Sequence, residues 1–417
     1  MMADKSPNRK TSDLSLSDFF SAKDLAAGSQ TVDISQAKVV GVPRSAPFSI
    51  AANTLVTVGE IVYKIGSELG RGCNGGVVLA QEVLSLGGCS EAVLKFAFPG
   101  CEADLKREVA YMARLSHPGV VRLIGGGQCE AQTVSEGKVE RRVLDVLIAE
   151  RLLSNPYVFF DSKPLPPGLA IDVFVNLLRT LEDIHRSKFI HGDIKPDNIL
   201  LRPNRQVRRA TQVIPRLSKE DTRSYLDRSY VHMVSHEEYQ PVFGDLGCAI
   251  DMSDKRPDKY PATPAYLCPE AFLEHKMGPK RDVYALSVSL AEMLTGAKPY
   301  LHEENLTSIA HSMADGRPPF DVERNLARAF DRFSSQLHAA SYSAVNQVYS
   351  DLLIVIQKGM HRDMVKRASS FELIEECVAR FKLTNARYVD GNGDERIRWT
   401  QTVLPPMKPS DPYFKRK

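Results

Sequence analysis

From Val62 to Leu69 apolar and polar positions alternate, and a β-branched run follows Gly76, so two strands are expected to flank Gly70-Arg71-Gly72-Cys73-Asn74-Gly75-Gly76. Glu91 to Phe96 reads as another strand, apolar except for Lys95, and Leu105 to Met112 has helical spacing. A further apolar strand is expected at Val146–Leu152. Pro164 and Pro167 then break the chain before an amphipathic helix from Ile171 to Ser187. The pattern places a polar turn inside the apolar stretch His191–Leu201, and an acid on a sharp glycine turn after Val242-Phe243. A buried helix is expected from Asp282 to Gly296, with more helices at Val322–Leu337, Tyr349–Gly359 and Ser370–Phe381.

The polar turn carries the densest chemistry. It reads His191-Gly192-Asp193-Ile194-Lys195-Pro196-Asp197-Asn198. Phosphoryl transfer needs a carboxylate to orient and deprotonate a nucleophile, a cation near the phosphate, and oxygen ligands for magnesium. Asp193, Lys195 and Asn198 can supply these. Asp245, on the turn Gly244-Asp245-Leu246-Gly247, is a second magnesium candidate. Lys95 in an apolar strand is costly to bury unless paired; Glu108 is the expected partner and Glu102 the runner-up.

These motifs, in this order, resemble the eukaryotic-type protein kinases of the serine/threonine pattern, with H-G-D where most carry H-R-D. The resemblance covers about residues 59–383. It extends to Leu115–Leu123, to Thr263-Pro264-Ala265-Tyr266-Leu267-Cys268-Pro269-Glu270, and to Arg367 as the arginine that pairs with Glu270. It implies an α+β bilobal fold, with a small β-rich N-lobe over about 59–150 and a larger helical C-lobe over about 153–383. The implied activity is transfer of the ATP γ-phosphate to serine or threonine of a protein substrate.

The implied roles follow residue by residue. Asp193 accepts the hydroxyl proton, Lys195 neutralises the γ-phosphate, and Asn198 and Asp245 hold Mg2+. Lys95, paired with Glu108, anchors ATP. Gly70, Gly72 and Gly75 let the backbone approach the phosphates, Val77 packs on the adenine, and the backbone around Glu150 and Leu152 binds its edge. Val93 stands where alanine is usual against the adenine, and Ala149 is a small residue behind it. Asp282 and Arg367 are expected to hold the loops without touching substrate. Gly192 replaces the arginine that usually grips an activation-segment phosphate, so activity is expected not to depend strongly on one; Ser253, Tyr260 and Thr263 are the residues to inspect. Two alternatives stand beside this reading: a pseudokinase-type nucleotide-binding scaffold, and a small-molecule kinase that shares H-G-D.

Composition narrows the setting. A net charge of +3 on 417 residues makes no demand for nucleic acid. No apolar run reaches membrane-spanning length, and the amino terminus lacks the apolar core of a signal peptide. Seven cysteines without a C-x-x-C pair fit a reducing compartment, cytoplasmic or nuclear. Residues 1–55 are expected to be a flexible leader, with Leu14, Phe19 and Phe20 as a candidate docking motif. An insertion over about 202–240 opens with a basic cluster suited to an acidic partner. A tail follows over 384–417, where Asp390-Gly391-Asn392-Gly393-Asp394 reads as a glycine-rich turn.

Overall fold

The structure is a computed structural model that describes residues 48–72, 74–83, 89–152, 155–159, 164–203, 239–253, 262–274, 276–303, 305–334, 339–381, 383–389 and 395–401. The chain forms two compact units. The first comprises the described residues of Met1–Ala110, Leu123–Arg151 and Arg256–Thr263; the second those of Tyr111–Arg122, Leu152–Lys255 and Pro264–Lys417.

The first unit is built on seven strands: β1 (Ser49–Ile50), β2 (Leu55–Val58), β3 (Ile61–Arg71), β4 (Gly75–Val83), β5 (Cys89–Ala97), β6 (Leu123–Ser135) and β7 (Lys138–Glu150). Their order is β1-β6-β7-β5-β4-β3-β2, with every neighbouring pair antiparallel. Alternation decides which face is buried: in β2, Val56 and Val58 point inward and Leu55 and Thr57 outward. Strands β6 and β7 meet at Glu136-Gly137, both with positive φ (50° and 78°), as a two-residue hairpin turn requires. Helix α1 (Glu102–Arg114) follows β5, with Glu102 and Asp104 in its first turn, where the helix dipole favours acids.

Sequence alone put the start of order near Val58, after a flexible leader over residues 1–55. The described chain begins earlier and is already packed there. Phe48 is fully buried, stacked on Phe96 at 5.5 Å and edge-on to Phe98 at 5.6 Å. Ser49 and Ile50 pair with Val134 and Thr133 of β6. Full burial of a phenylalanine stabilises by about 1.5–3 kcal/mol, which offsets the cost of ordering one or two residues at about 1–2 kcal/mol each.

The second unit is helical around two buried rods. Helix α3 (Pro167–Arg186) starts on a proline, whose missing N–H costs nothing in a first turn. Helix α5 (Lys280–Thr295) ends on Gly296 at φ +73°, the left-handed cap that glycine adopts most easily. The one-turn helix α2 (Pro156–Phe159) precedes α3 in sequence, and α4 (Pro269–Leu273) lies between α3 and α5. Short ladders pair β8 (Phe189–Ile190) with β11 (Ile250–Asp251) and β9 (Ile199–Pro203) with β10 (Tyr239–Phe243). The long insertion thus joins two paired strands; residues 204–238, with most of its basic cluster, lie outside the described part.

Helices α6 (Leu306–Ala314), α7 (Val322–Ser334), α8 (Ala339–Gly359) and α9 (Ser370–Phe381) complete this unit. Helix α8 begins at Ala339 rather than Tyr349, because small and polar residues there are compatible with helix although they lack an apolar stripe. A hairpin follows, β12 (Leu383–Val389) with β13 (Glu395–Gln401), where only a turn was expected; the turn residues 390–394 are outside the described part. Among the described residues no helix is long and apolar enough to cross a membrane.

Candidate functional site

In the second unit the H-G-D loop hangs from one buried carboxylate. Asp282, 1% exposed near the start of α5, accepts the His191 N–H at 2.8 Å and the Gly192 N–H at 3.0 Å. His185 braces the same carboxylate at 3.0 Å. Burial alone would raise the Asp282 carboxyl; the hydrogen bond and charge of His185 outweigh it and hold it below its ordinary value. The His191 ring reaches the Gly244 carbonyl at 3.1 Å and lies against Phe243. The loop is therefore anchored on both sides before any of its chemical groups is placed.

Asp193 is 9% and Lys195 8% exposed, with Nζ 3.3 Å from the carboxylate. The Asn198 amide donates to the Asp193 carbonyl at 2.8 Å and to its carboxylate at 3.1 Å. With its nitrogen so committed, the Asn198 amide oxygen is directed elsewhere and can serve as a cation ligand. The Gly244 N–H donates to the Asn198 carbonyl at 2.8 Å, which brings the Asp245 turn directly beside Asn198. Asp245 is exposed and sits at φ +51°, a conformation costly for a residue with a side chain. Its carboxylate accepts the Gly247 N–H at 3.2 Å.

Gly192 itself is tightly enclosed. Its φ is +89°, and a Cβ there would stand 2.2 Å from the Cys248 carbonyl oxygen. Two partners were not foreseen from sequence. The Cys248 backbone closes over Gly192, and Arg281, 5% exposed, donates to the Gly192 carbonyl at 2.9 Å. A charged residue immediately before the expected helix residue Asp282 was the available signal for the second; nothing local signalled the first.

Further along, Arg367 and Glu270 meet in a buried two-point pair, with Nη2 donating to Oε2 at 2.9 Å. Arg367 also lies 5.0 Å from the centre of the Tyr284 ring. Thr263 is half-buried, Ser253 is exposed and donates to Asp251 at 2.6 Å, and Tyr260 lies outside the described residues.

In the first unit Lys95 Nζ lies 2.7 Å from one Glu108 oxygen and 2.9 Å from the other. Of the two expected partners, Glu102 instead accepts the Gly100 N–H at 2.9 Å. Helical register explains the choice: Glu108 is 5% exposed, whereas Glu102 stands in the helix's first turn. Val77 pairs with both Lys95 and Gly70 across β4, and Val93 pairs with Ala149. Glu150 ends β7, and the chain passes from the first unit to the second between Arg151 and Leu152.

The glycines of the loop fall into two kinds. A Cβ on Gly75 would strike the Phe96 carbonyl at 2.0 Å, so internal packing requires glycine there. Gly70 and Gly72 have nothing within 4 Å of such a Cβ, and neither has positive φ. Neither packing nor backbone geometry explains them; their smallness leaves a bare strip of backbone. Arg71 between them is tied back to Glu68 at 2.8 Å, and Ser49 also donates to Glu68 at 3.0 Å.

These features fit a nucleotide and magnesium. In the second unit Asp245 and Asn198 offer an acid and an amide oxygen, a donor pair suited to a magnesium ion that keeps phosphate and water ligands. Among the described residues no cluster of three or more histidine, cysteine or acidic side chains could cage a metal alone.

The family model for the protein kinase domain matches residues 63–379. Relatives include serine/threonine-protein kinase PknH of Mycobacterium bovis, 25% identical over 273 residues, which are 64% of this chain and 39% of that protein. Serine/threonine-protein kinase pkn2 of Myxococcus xanthus is 26% identical over 257 residues, 60% of this chain and 26% of its own length. A probable LRR receptor-like serine/threonine-protein kinase of Arabidopsis thaliana is 27% identical over 245 residues, 58% and 29% respectively. The chain thus spans less than two fifths of the length of each of these relatives.

Proposed function

Since the chain belongs to the protein kinase domain family, we propose that it transfers the γ-phosphate of ATP to serine or threonine hydroxyls of a protein substrate. The observation that carries this reading is the constellation of Asp193, Lys195 and Asn198, within hydrogen-bonding or ion-pair reach of one another on a loop fixed by Asp282. Asp193 orients the acceptor hydroxyl and takes its proton as the oxygen bonds to the γ-phosphorus; the bridging oxygen leaves with ADP. Lys195 offsets charge on the transferred group. Lys95, held by Glu108, grips the α and β phosphates, with Gly70, Gly72 and Gly75 giving them backbone access. Val77 and the backbone around Glu150 and Leu152 take the adenine. Asn198 and Asp245 would hold a magnesium ion, which would supply neutralisation of charge on the phosphates. Serine or threonine as acceptor rests on Lys195 and Thr263 in their motif positions. Among the described residues the buried thiols of Cys129, Cys268 and Cys377 support a reducing setting, cytoplasm or nucleus.

The test is magnesium-dependent transfer of labelled phosphate from ATP to a generic basic protein, with Asp193→Asn and Lys95→Met beside the wild type. Loss of a general base costs about 10²–10⁴-fold in rate, so Asp193→Asn should be nearly silent while still shifting its melting temperature with Mg-ATP. Lys95→Met should weaken that shift. Nucleotide binding without transfer in the wild type would favour a scaffold; neither binding nor transfer would remove the site assignment altogether.

A further inference from the structure

The last turn of helix α5 buries a carboxylate that the phosphoryl-transfer chemistry leaves idle. Glu292 is fully buried. The Tyr266 hydroxyl donates to its Oε2 at 2.6 Å, and Lys298 Nζ lies 2.7 Å from its Oε1. Among the described residues nothing else reaches Oε1 with a hydrogen bond. A second acid stands near: Asp197, exposed on the H-G-D loop four residues past Asp193, acts electrostatically on Tyr266 and on Tyr157 of α2, as Glu292 does. Burial first, and these acids second, push both phenols well up, so they stay protonated and bring no positive charge. Lys298 is therefore the cation that balances Glu292.

The backbone that delivers Lys298 is fixed just ahead of it. Gly296 reverses the chain at φ +73°, and its N–H donates to the Glu292 carbonyl at 2.7 Å. The Thr295 hydroxyl donates to the Ala291 carbonyl at 2.7 Å and accepts the Ala297 N–H at 3.2 Å. Lys298 then reaches back with its ammonium on a buried carboxylate while 41% of its side chain is exposed. A path as wide as a lysine stem thus runs from the surface to Glu292. It lies on the helix that packs against the turn Pro196–Asn198 of the H-G-D loop.

We propose that Lys298 is a specificity-determining residue: its ammonium plugs this acidic hole beside the H-G-D loop, so that a basic side chain of the substrate is not selected there. A buried carboxylate stripped of its partner is strongly unfavourable, so some cation must sit on Glu292. One tethered to the chain loses no translational freedom in doing so, and it outcompetes an arginine arriving with a substrate. Asp197 stays open, but an exposed ion pair adds little. The consequence for substrates rests on the phosphoryl-transfer reading; the plug itself does not.

Two measurements on the full chain test this. In the first, an arginine is walked through the positions flanking the serine of an otherwise neutral peptide, and kcat/KM for phosphate transfer is read. Wild type should treat these peptides within about fivefold of one another. Lys298→Ala should raise one position by about tenfold or more, and combining it with Glu292→Gln should remove that gain. Lys298→Ser, which lets water reach the carboxylate, is run beside it in case alanine melts too low to assay. In the second, melting temperatures are recorded in n-butylammonium, tetramethylammonium or sodium chloride at equal concentration. Butylammonium alone should stabilise Lys298→Ala, by about 1–2 °C, and should do nothing for wild type or the double variant. Where transfer is measured, Lys298 variants that lack either gain would overturn the proposal. So would a wild type that already selects arginine as strongly and loses the selection in Glu292→Gln. Absence of transfer in every protein would instead remove the reading of the activity, and the melting series alone would then decide whether Lys298 is a plug.

Discussion

Gly192→Ala is the smallest change that reaches the centre of the catalytic loop. The added Cβ meets two obstacles. A φ of +89° is a conformation that an alanine resists, costing about 1–3 kcal/mol where the surroundings enforce it. The Cys248 carbonyl oxygen would lie 2.2 Å from the new carbon, and overpacking of this kind costs about 1–3 kcal/mol. Alanine also stiffens the unfolded chain, which returns about 0.4–1 kcal/mol. One backbone shift relieves both obstacles, so the two costs do not simply add, and a net loss of about 2–3 kcal/mol is expected. That shift moves Asp193, the next residue, and misplacement by 1 Å can cost on the order of 100-fold in rate.

Gly192→Arg introduces the same Cβ and should fare no better, although it writes H-R-D into the sequence. The assay pairs differential scanning fluorimetry with phosphate-transfer rates, each before and after phosphatase treatment. Both variants should melt several degrees below wild type and transfer phosphate far more slowly, whatever the treatment. If Gly192→Arg kept the wild-type melting temperature and gained activity on phosphorylation, the steric reasoning would be wrong, and glycine would be a mere absence of arginine.

Two further outcomes are expected. Glu270→Gln strands the buried Arg367 guanidinium, which breaking of a buried pair puts at about 3–5 kcal/mol. Burial alone would lift the Glu270 carboxyl, but Arg367 outweighs it and holds it below the ordinary 4.5. The stability it contributes is therefore complete above that value and lost as pH falls through the lower folded one. Melting curves recorded from pH 7 to pH 3 should show wild type and Glu270→Gln converging at the acid end; a constant gap would refute the linkage. Burial pushes the Cys129 thiol up to about 11 and, with Glu270 adding to the effect, Cys268 up to about 12, while buried Cys377 is raised further. Thiolates are the reactive form. Iodoacetamide on the native protein at pH 8, read by peptide mapping, should modify the half-exposed Cys101 and Cys248 well before these three.

Much of the candidate site could be read from sequence because its parts are local. A strand, a glycine turn and an acid are each written within a few residues, and the pattern of apolar flanks says what is buried. The choice of Glu108 over Glu102 was legible for the same reason, since helical register is a local property. The approach of the Cys248 carbonyl to Gly192 was not. It depends on two segments more than fifty residues apart, each unremarkable alone, and on backbone atoms that no side chain announces. The early start of order at Phe48 was missed for a related reason. Two or three residues on a sheet edge are too short for periodicity to register, yet a single aromatic ring fixes them. Helix α8 ran longer than expected because the apolar stripe that marks a helix fades where its neighbours are small.

The packing of Phe48 bears on how this protein can be shortened. The family match begins at residue 63, and a chain trimmed to that point would keep every chemical group assigned above. It would also lose the ring stacked on Phe96 and the inward-facing Val56 and Val58 of β2, and with them the Ser49 hydroxyl that steadies Glu68 below the glycine turn. Such a fragment would expose aromatic surface along an opened sheet edge, the kind of surface that promotes self-association. Poor solubility or weak nucleotide binding in it would then report a torn core, and not a chain lacking activity.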